Sequence, residues 1–213
     1  MKKIVYSIAF LLVFASIGTA QKAEAILEKS AAAYDKANGI SARFAVNIRT
    51  GNGGGSESFE AEISMLGDKF RLITPDMRVW FDGTTQWTYM ARTNEVNITA
   101  PSGDELLTVN PIMFLRRYKK NFKASHIGES TSDLGKMADD IRLTARNAGN
   151  DIKEVNLQID RATSLPVRIT FTLAHDVATS VRIGKMQTGA NPPAQTFVFN
   201  EADYPDVEVV DLR

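Results

Sequence analysis

The chain has no cysteine among its 213 residues and only two histidines. Without cysteine there are no disulfide bonds, so apolar burial must supply the stability of the fold. Two histidines, His126 and His175, leave few ligands for zinc, and no Gly-x-Ser-x-Gly motif offers a serine nucleophile. The composition therefore predicts no catalytic residue, no metal site and no cofactor.

Neither sign of charge is in excess, because 25 basic residues balance 25 acidic ones. Nucleic-acid binding usually requires a basic patch, so no nucleic-acid partner is expected. An apolar content of 44% is typical of a globular chain. The length suffices for one domain with a sizeable core.

Long apolar runs are confined to the N-terminus. Two lysines precede an apolar run over residues 4–17, and the small residues Gly-Thr-Ala follow it. This order is typical of a secretory signal peptide, and the run is shorter than the about 20 residues of a membrane span. We expect cleavage after Ala20, which would leave residues 21–213 as a single domain in the periplasm or outside the cell. An uncleaved anchor is the alternative.

In place of these features, the chain has apolar residues at every second position from residue 44 to residue 98. A period of two predicts strands with one apolar and one polar face. Short turns join them, which favours an antiparallel meander. The glycines at 51–55 lead into another strand without the Lys-Ser or Lys-Thr of a phosphate loop, so they are read as a hairpin tip. The predicted strands cover residues 41–50, 58–66, 69–74, 78–81, 85–90 and 95–100.

Two helices interrupt the strands. The first, over residues 21–38, carries an apolar stripe formed by Ala23, Ile26, Leu27, Ala31 and Tyr34. The second begins at Asn110-Pro111, where Asn is a cap and Pro suits the first helical position, and continues to about residue 122. Its basic amphipathic pattern fits a lid, a membrane-surface helix or an ordinary exposed helix.

The strand pattern then resumes, which gives about eleven strands in total. A large sheet curls because strand twist accumulates. The curled sheet would enclose its apolar face, either as a barrel filled by its own side chains or as a cup that holds an apolar guest. The later predicted strands cover residues 123–127, 141–145, 152–160, 166–174, 178–186 and 196–200.

Residues 79–89, with the sequence VWFDGTTQWTY, resemble the periplasmic outer-membrane lipoprotein carrier family LolA. Lys69-Phe70-Arg71 is similar to a strand of that family, and residues 196–199 and 207–211 are similar to its last strand and tail. The resemblance implies a half-open antiparallel β-barrel of about eleven strands, with an N-terminal helix and a mid-chain helical lid.

The resemblance also implies a function. Such a carrier would be a monomer that takes acylated lipoproteins from an inner-membrane lipoprotein-releasing transporter and passes them to an outer-membrane acceptor. The strand pattern then assigns the lid's underside to Ile112, Met113 and Leu115. It assigns the wall of the lipid-binding cavity to Phe44, Val46, Phe59, Ile63, Met65, Phe70, Leu72, Trp87, Tyr89, Val96 and Ile98.

One stretch departs from the family pattern. Well-known members have an arginine and a proline before the position of Phe70, and this arginine holds the lid closed, whereas this chain has Met65-Leu66-Gly67-Asp68. Arg71 or Arg78 would have to replace the latch, or the lid is looser. Two other functions stay open: a sensor or adaptor for envelope lipids or lipoproteins on the same fold, and an enzyme acting on envelope lipids through His126 or His175.

Overall fold

The computed structural model describes residues 2–51, 54–101, 114–147, 149–174 and 177–213. Two α-helices and twelve strands make up the regular structure of these residues. In chain order they are α1 Lys2–Lys36, β1 Ile40–Arg49, β2 Ser56–Leu66, β3 Lys69–Ile73, β4 Met77–Phe81, β5 Gln86–Met90, β6 Glu95–Thr99, α2 Phe114–Asn121, β7 Phe122–Thr131, β8 Met137–Ala145, β9 Ile152–Asp160, β10 Pro166–Leu173, β11 Ala178–Thr188 and β12 Glu208–Asp211.

All twelve strands belong to one sheet, in the order β12-β6-β5-β4-β3-β2-β1-β11-β10-β9-β8-β7. Neighbours are antiparallel except β12, which pairs with β6 in parallel. In the described residues the two edge strands, β12 and β7, do not pair with each other, so the sheet is not closed. The predicted half-open β-barrel is confirmed, and the strand count is twelve.

Helix α1 packs against β7 through residues spaced three and four apart. Ala23, Leu27, Ser30 and Tyr34 are buried, while Ile26 of the predicted stripe is partly buried. The helix begins well before the predicted residue 21, since it includes the proposed leader. In the part of the chain that the structure describes, no helix is both long and apolar enough to cross a membrane.

Gly39 makes the sharp turn from α1 into β1. Its φ is +92°, in the left-handed region that favours glycine. A Cβ added there would lie 2.9 Å from the backbone nitrogen of Asn191. The close approach of two backbone segments therefore requires glycine at this position.

The strand predicted at residues 196–200 is wrong. A 3₁₀ turn, Ala194–Phe197, takes its place, and Phe197 is completely buried against β3 and β4. Its apolar side chain is needed for packing on a sheet face rather than for pairing at a sheet edge. Strand β12, ten residues further on, supplies the edge instead.

Asp160 anchors the turn between β9 and β10. Its carboxylate accepts a hydrogen bond from the backbone N–H of Ala162 at 2.8 Å and lies 3.2 Å from Lys136 Nζ. Burial opposes ionisation of this carboxyl, but hydrogen bonds from Ala162, Lys136 and Thr163 together with the lysine charge outweigh burial, so its pKa lies below the usual value.

Candidate functional site

Burial changes along β1 on the concave face of the sheet. Ile40 is 1% exposed, whereas Phe44 and Ile48 are only partly buried. The end of α1 covers the Ile40 end of the strand, where Tyr34 Oη donates a hydrogen bond to the carbonyl of Gly67 at 3.4 Å. The concave face is therefore solid at this end, and we call the region around Ile40 the packed end.

An apolar cavity of about 300 Å³ lies at the other end of the concave face. The cavity is open to solvent, and Phe44 and Phe59 in its wall are only partly buried. The lining side chains are apolar except for two threonines. They are Phe44, Val46, Ile48, Phe59, Ala61, Leu72, Thr74, Met77, Ile152, Phe171, Leu173, Thr179 and Val181.

At the cavity wall, the polar groups of the turn between β3 and β4 form hydrogen bonds with one another, so they offer little polarity to a ligand. Thr74 Oγ1 accepts from the backbone N–H of Met77 at 3.0 Å and lies 3.1 Å from the carbonyl of Met77. The backbone N–H of Thr74 donates to the same carbonyl at 2.9 Å. A ligand in this cavity would thus meet hydrocarbon, which suits an apolar chain.

Four of the predicted wall residues line this cavity: Phe44, Val46, Phe59 and Leu72. Ile63, Met65 and Phe70 also face the concave side, but none of them lines the cavity, and Met65 and Phe70 are completely buried towards the packed end.

Trp87, Tyr89, Val96 and Ile98 lie on the opposite, convex face. The pairing register decides this: Trp87 is opposite Trp80, whereas the concave residue Phe81 is opposite Gln86. Residues of β6 follow the same register, since Val96 pairs with Tyr89. The prediction that these four side chains line the wall is therefore wrong. Odd-numbered residues lie on the concave face in β4, before the turn at residues 82–85, and on the convex face in β5, after it.

The C-terminal segment covers this convex face with aromatic rings. Tyr204 lies 4.5 Å from Tyr89, 5.8 Å from Trp80 and 5.1 Å from Phe199, measured between ring centroids. Arg78 Nη1 donates to Tyr204 Oη at 2.8 Å. The apolar alternation of β5 is thus used to pack this segment and not to line the cavity.

Among the described residues, neither Arg78 nor Arg71 forms the predicted latch. Arg78 is bound to Tyr204 on the convex face, and Arg71, opposite Trp80, lies on that face as well. Neither guanidinium lies on the side that a lid would cover.

The predicted lid is described only from residue 114 onwards, so Ile112 and Met113 lie outside the described residues. Leu115 is 4% exposed and packs in the main core. Burial raises the pKa of Tyr118 on the same helix. Lys119 Nζ lies 2.8 Å from Glu28 Oε1, which joins α2 to α1 at the surface.

Several cavity residues were missed by the sequence-based assignment. Ile152, Phe171, Leu173 and Val181 come from β9, β10 and β11, which the register brings beside β1. Their alternation signals strands, but the pairing of β1 with β11 has no local signal in the sequence.

His126 is part of an ion-pair cluster. Its Nε2 lies 2.9 Å from Asp139 Oδ1, and the ligand atoms of His126, Glu129 and Asp139 all lie within 4.8 Å of one another. Arg161 contacts Glu129 at 2.6 Å and Asp139 at 3.8 Å, so a guanidinium already pairs with both carboxylates. The other histidine, His175, lies outside the described residues.

These features define a class: a half-open β-barrel with an open apolar cavity at one end of its concave face. The family model of the outer membrane lipoprotein carrier protein LolA matches residues 12–173, and the chain belongs to this family. The fold of the family is a binding fold and not a typical enzyme fold. Comparison with the curated proteins found no match.

Several solved structures are similar to this chain. An uncharacterized conserved protein from Thermus thermophilus is 17% identical, with a TM-score of 0.60 over 89% of this chain and 99% of its own. LprF from Mycobacterium bovis is 11% identical, with a TM-score of 0.48 over 82% and 97%. A LolA superfamily protein from Nitrosomonas europaea is 11% identical, with a TM-score of 0.47 over 83% and 97%.

Proposed function

We propose that this protein is a periplasmic carrier that shields the acyl chains of lipoproteins and passes them from the inner membrane towards the outer membrane. The observation that carries the proposal is the open apolar cavity of about 300 Å³ beside a tightly packed end. That volume lies at the lower limit of the about 300–1,000 Å³ typical of ligand pockets. Family membership supports an acylated protein as the ligand.

An empty cavity of this size is costly for a protein that has no use for it. At about 24 cal/mol per Å³, the measured cost of buried cavities, 300 Å³ corresponds to at most about 7 kcal/mol of lost packing. Larger side chains on β1 or β2 could recover part of that energy. The small side chain of Ala61 in the wall leaves this space open, which favours a ligand-binding role.

The energy of acyl burial favours direct transfer between proteins. An acyl chain of about 15 methylenes gains roughly 12 kcal/mol on leaving water, so its release into water would be very slow. A donor transporter in the inner membrane and an acceptor in the outer membrane would have to meet the cavity mouth. The carrier itself supplies no chemistry and uses no cofactor in this proposal.

Export is part of the proposal. Residues 1–20 would act as a signal peptide that is removed after Ala20, and the mature domain would work in the periplasm as a monomer. Radiolabelling of the chain in intact and fractionated cells tests both cleavage and location. A product that keeps its leader and stays with the inner membrane would contradict them.

The central experiment is mass spectrometry of the ligands that co-purify with the protein from the periplasm. Acylated proteins or peptides are expected with the wild type. Leu72→Glu should reduce their binding by more than about 100-fold, because the cavity would have to bury an unpaired carboxylate. Val209→Glu, at a position that is 43% exposed and outside the cavity, is the matched control. Equal co-purification with Leu72→Glu would reject the proposal.

A transfer assay separates a carrier from a sensor on the same fold. The protein is loaded with a fluorescent lipopeptide and mixed with vesicles that contain the purified acceptor. A carrier releases its cargo to those vesicles faster than to plain vesicles. A sensor would bind the lipopeptide but would show no such difference.

A further inference from the structure

The concave face is not apolar throughout. On β5 and β6 the register directs polar residues to the same side as the cavity wall. Gln86 is opposite Phe81 and Thr88 is opposite Val79, both of which are concave core residues. These polar residues are partly buried, and we call them the polar ladder: Gln86, Thr88, Glu95, Asn97 and Thr99.

This polarity is not explained by exposure of the outer strands to water. The convex side chains of the same strands are apolar and are covered by the C-terminal segment, with Val96 completely buried. Strands β5 and β6 therefore obtain their packing energy from the convex face. Their concave face carries polar groups with hydrogen-bonding capacity for a ligand.

The ladder contains an unsatisfied acceptor. Gln86 Nε2 donates to Thr88 Oγ1 at 3.2 Å, but Gln86 Oε1 is shielded from solvent and accepts no hydrogen bond from the described residues. Asn97 Nδ2 donates to Glu95 Oε1 at 2.9 Å. A shielded acceptor without a donor is unfavourable, and an N–H group of a ligand would satisfy it.

The ladder adjoins the cavity through Thr88 and Glu95, whereas Gln86 lies two residues nearer the packed end, in the row of Phe81 and Phe70. Thr88 lies opposite Val79, which lies opposite the cavity residue Leu72, and Met90 lies opposite the cavity residue Met77. Adjacent strands are about 4.8 Å apart, so Thr88 is about 10 Å across the sheet from Leu72. A ligand whose hydrocarbon fills the cavity could place its head on the ladder.

The charge of the polar ladder distinguishes between two kinds of ligand head group, a phosphate and a peptide. It contains one carboxylate, Glu95, and no cationic side chain, so the phosphate of a phospholipid would meet a like charge. Backbone N–H groups of a peptide would instead find acceptors on Gln86, Glu95 and the threonine hydroxyls.

We infer that the polar ladder binds the N-terminal peptide of the acylated protein whose acyl chains occupy the cavity. This inference rests on the proposed function and adds recognition of the polar part of the cargo. It gives the carrier a means to prefer lipoproteins over membrane phospholipids with similar acyl chains.

The test compares three ligands with the same acyl chain length: a lipopeptide, a free fatty acid and phosphatidylglycerol. Gln86→Met combined with Thr88→Val keeps the shape of the ladder and removes its hydrogen bonding. This variant should bind the lipopeptide about three- to tenfold more weakly and the fatty acid unchanged. Asn97→Leu, tested separately, should show the same selective loss.

Gln158→Met is the matched control. Gln158 also has a shielded Oε1 without a partner among the described residues, and its Nε2 donates to Ser130 Oγ at 2.9 Å, but its strand register places it on the convex face. It should leave all three affinities unchanged. Circular dichroism establishes that each variant is folded.

Three results would overturn the inference: unchanged lipopeptide affinity in both ladder variants, equal weakening for the fatty acid, or equal weakening for the phospholipid. In each case the wild type still binds acyl ligands, so the proposed function stands. If the wild type binds none of the three ligands, the proposed function itself fails.

Discussion

Ala61 provides the most direct test of whether the cavity is empty. It lies on β2, is 3% exposed and lines the cavity. Ala61→Leu would place three more carbon atoms in the void. At about 0.8 kcal/mol per buried methylene, these atoms should raise the free energy of unfolding by up to about 2.4 kcal/mol. A filled core would respond in the opposite direction, because overpacking costs about 1–3 kcal/mol.

Ala42 is a matched control. It lies on the neighbouring strand β1, is 4% exposed and does not line the cavity. Its partner in the register is Ile63, which is also buried. Ala42→Leu should therefore lower the free energy of unfolding by about 1–3 kcal/mol, since the added carbons would enter the buried core beside Ile63.

Urea denaturation followed by far-UV circular dichroism measures both stabilities, and displacement of a fluorescent fatty acid measures the affinity. In Ala61→Leu the leucine occupies the place of about three methylenes of the ligand, so the affinity should fall by up to roughly fiftyfold. Greater stability with weaker binding is the expected combination. If Ala61→Leu is as destabilising as Ala42→Leu, or if the fatty acid binds as before, the cavity is not the site.

Three further predictions concern residues outside the cavity. Leu115→Ala should lower the free energy of unfolding by about 2–5 kcal/mol because it removes a buried side chain, and a loss below about 1 kcal/mol in urea titration would mean that α2 is not packed. Tyr204→Phe removes the acceptor for Arg78 and should cost about 0.5–1.5 kcal/mol, while fatty-acid affinity stays constant; a change in affinity would show that the convex face contributes to binding. Asp160→Asn should cost about 1.5–3 kcal/mol at pH 7. Because the folded state lowers the pKa of Asp160, its stabilising effect is present above the ordinary value of 3.8 and is lost as the pH falls through the folded pKa. The difference in the free energy of unfolding between wild type and Asp160→Asn should therefore shrink at low pH. A difference that stays constant with pH would contradict this prediction.

The alternation of apolar residues predicted much of the fold because it is a local property. Strands β1 to β4 occur close to their predicted positions, and the helical stripe of Ala23, Leu27 and Tyr34 is the buried side of α1. The alternation could not distinguish a solid barrel from a cup. That distinction depends on how far α1 reaches over the sheet, and distant packing determines this.

The convex face was not predictable from β5 alone. Trp87 and Tyr89 alternate with polar residues as Phe70 and Leu72 do, so both strands read as having one apolar face. Which face it is depends on the register after the turn and on Tyr204, more than 100 residues later, which supplies a second apolar surface. Sequence patterns give the period of a strand but not the identity of the layer that covers it.

Two covered faces allow this sheet to keep part of its interior unfilled. The packed end, with Met65 and Phe70 completely buried, and the convex layer over Trp80 together provide apolar burial without any contribution from the cavity. In the proposed function, these residues mainly support the fold, while the wall residues also contact the ligand. Substitutions in the cavity wall should consequently change ligand affinity more than they reduce stability, whereas the same substitutions at the packed end should unfold the protein before any change in affinity can be measured.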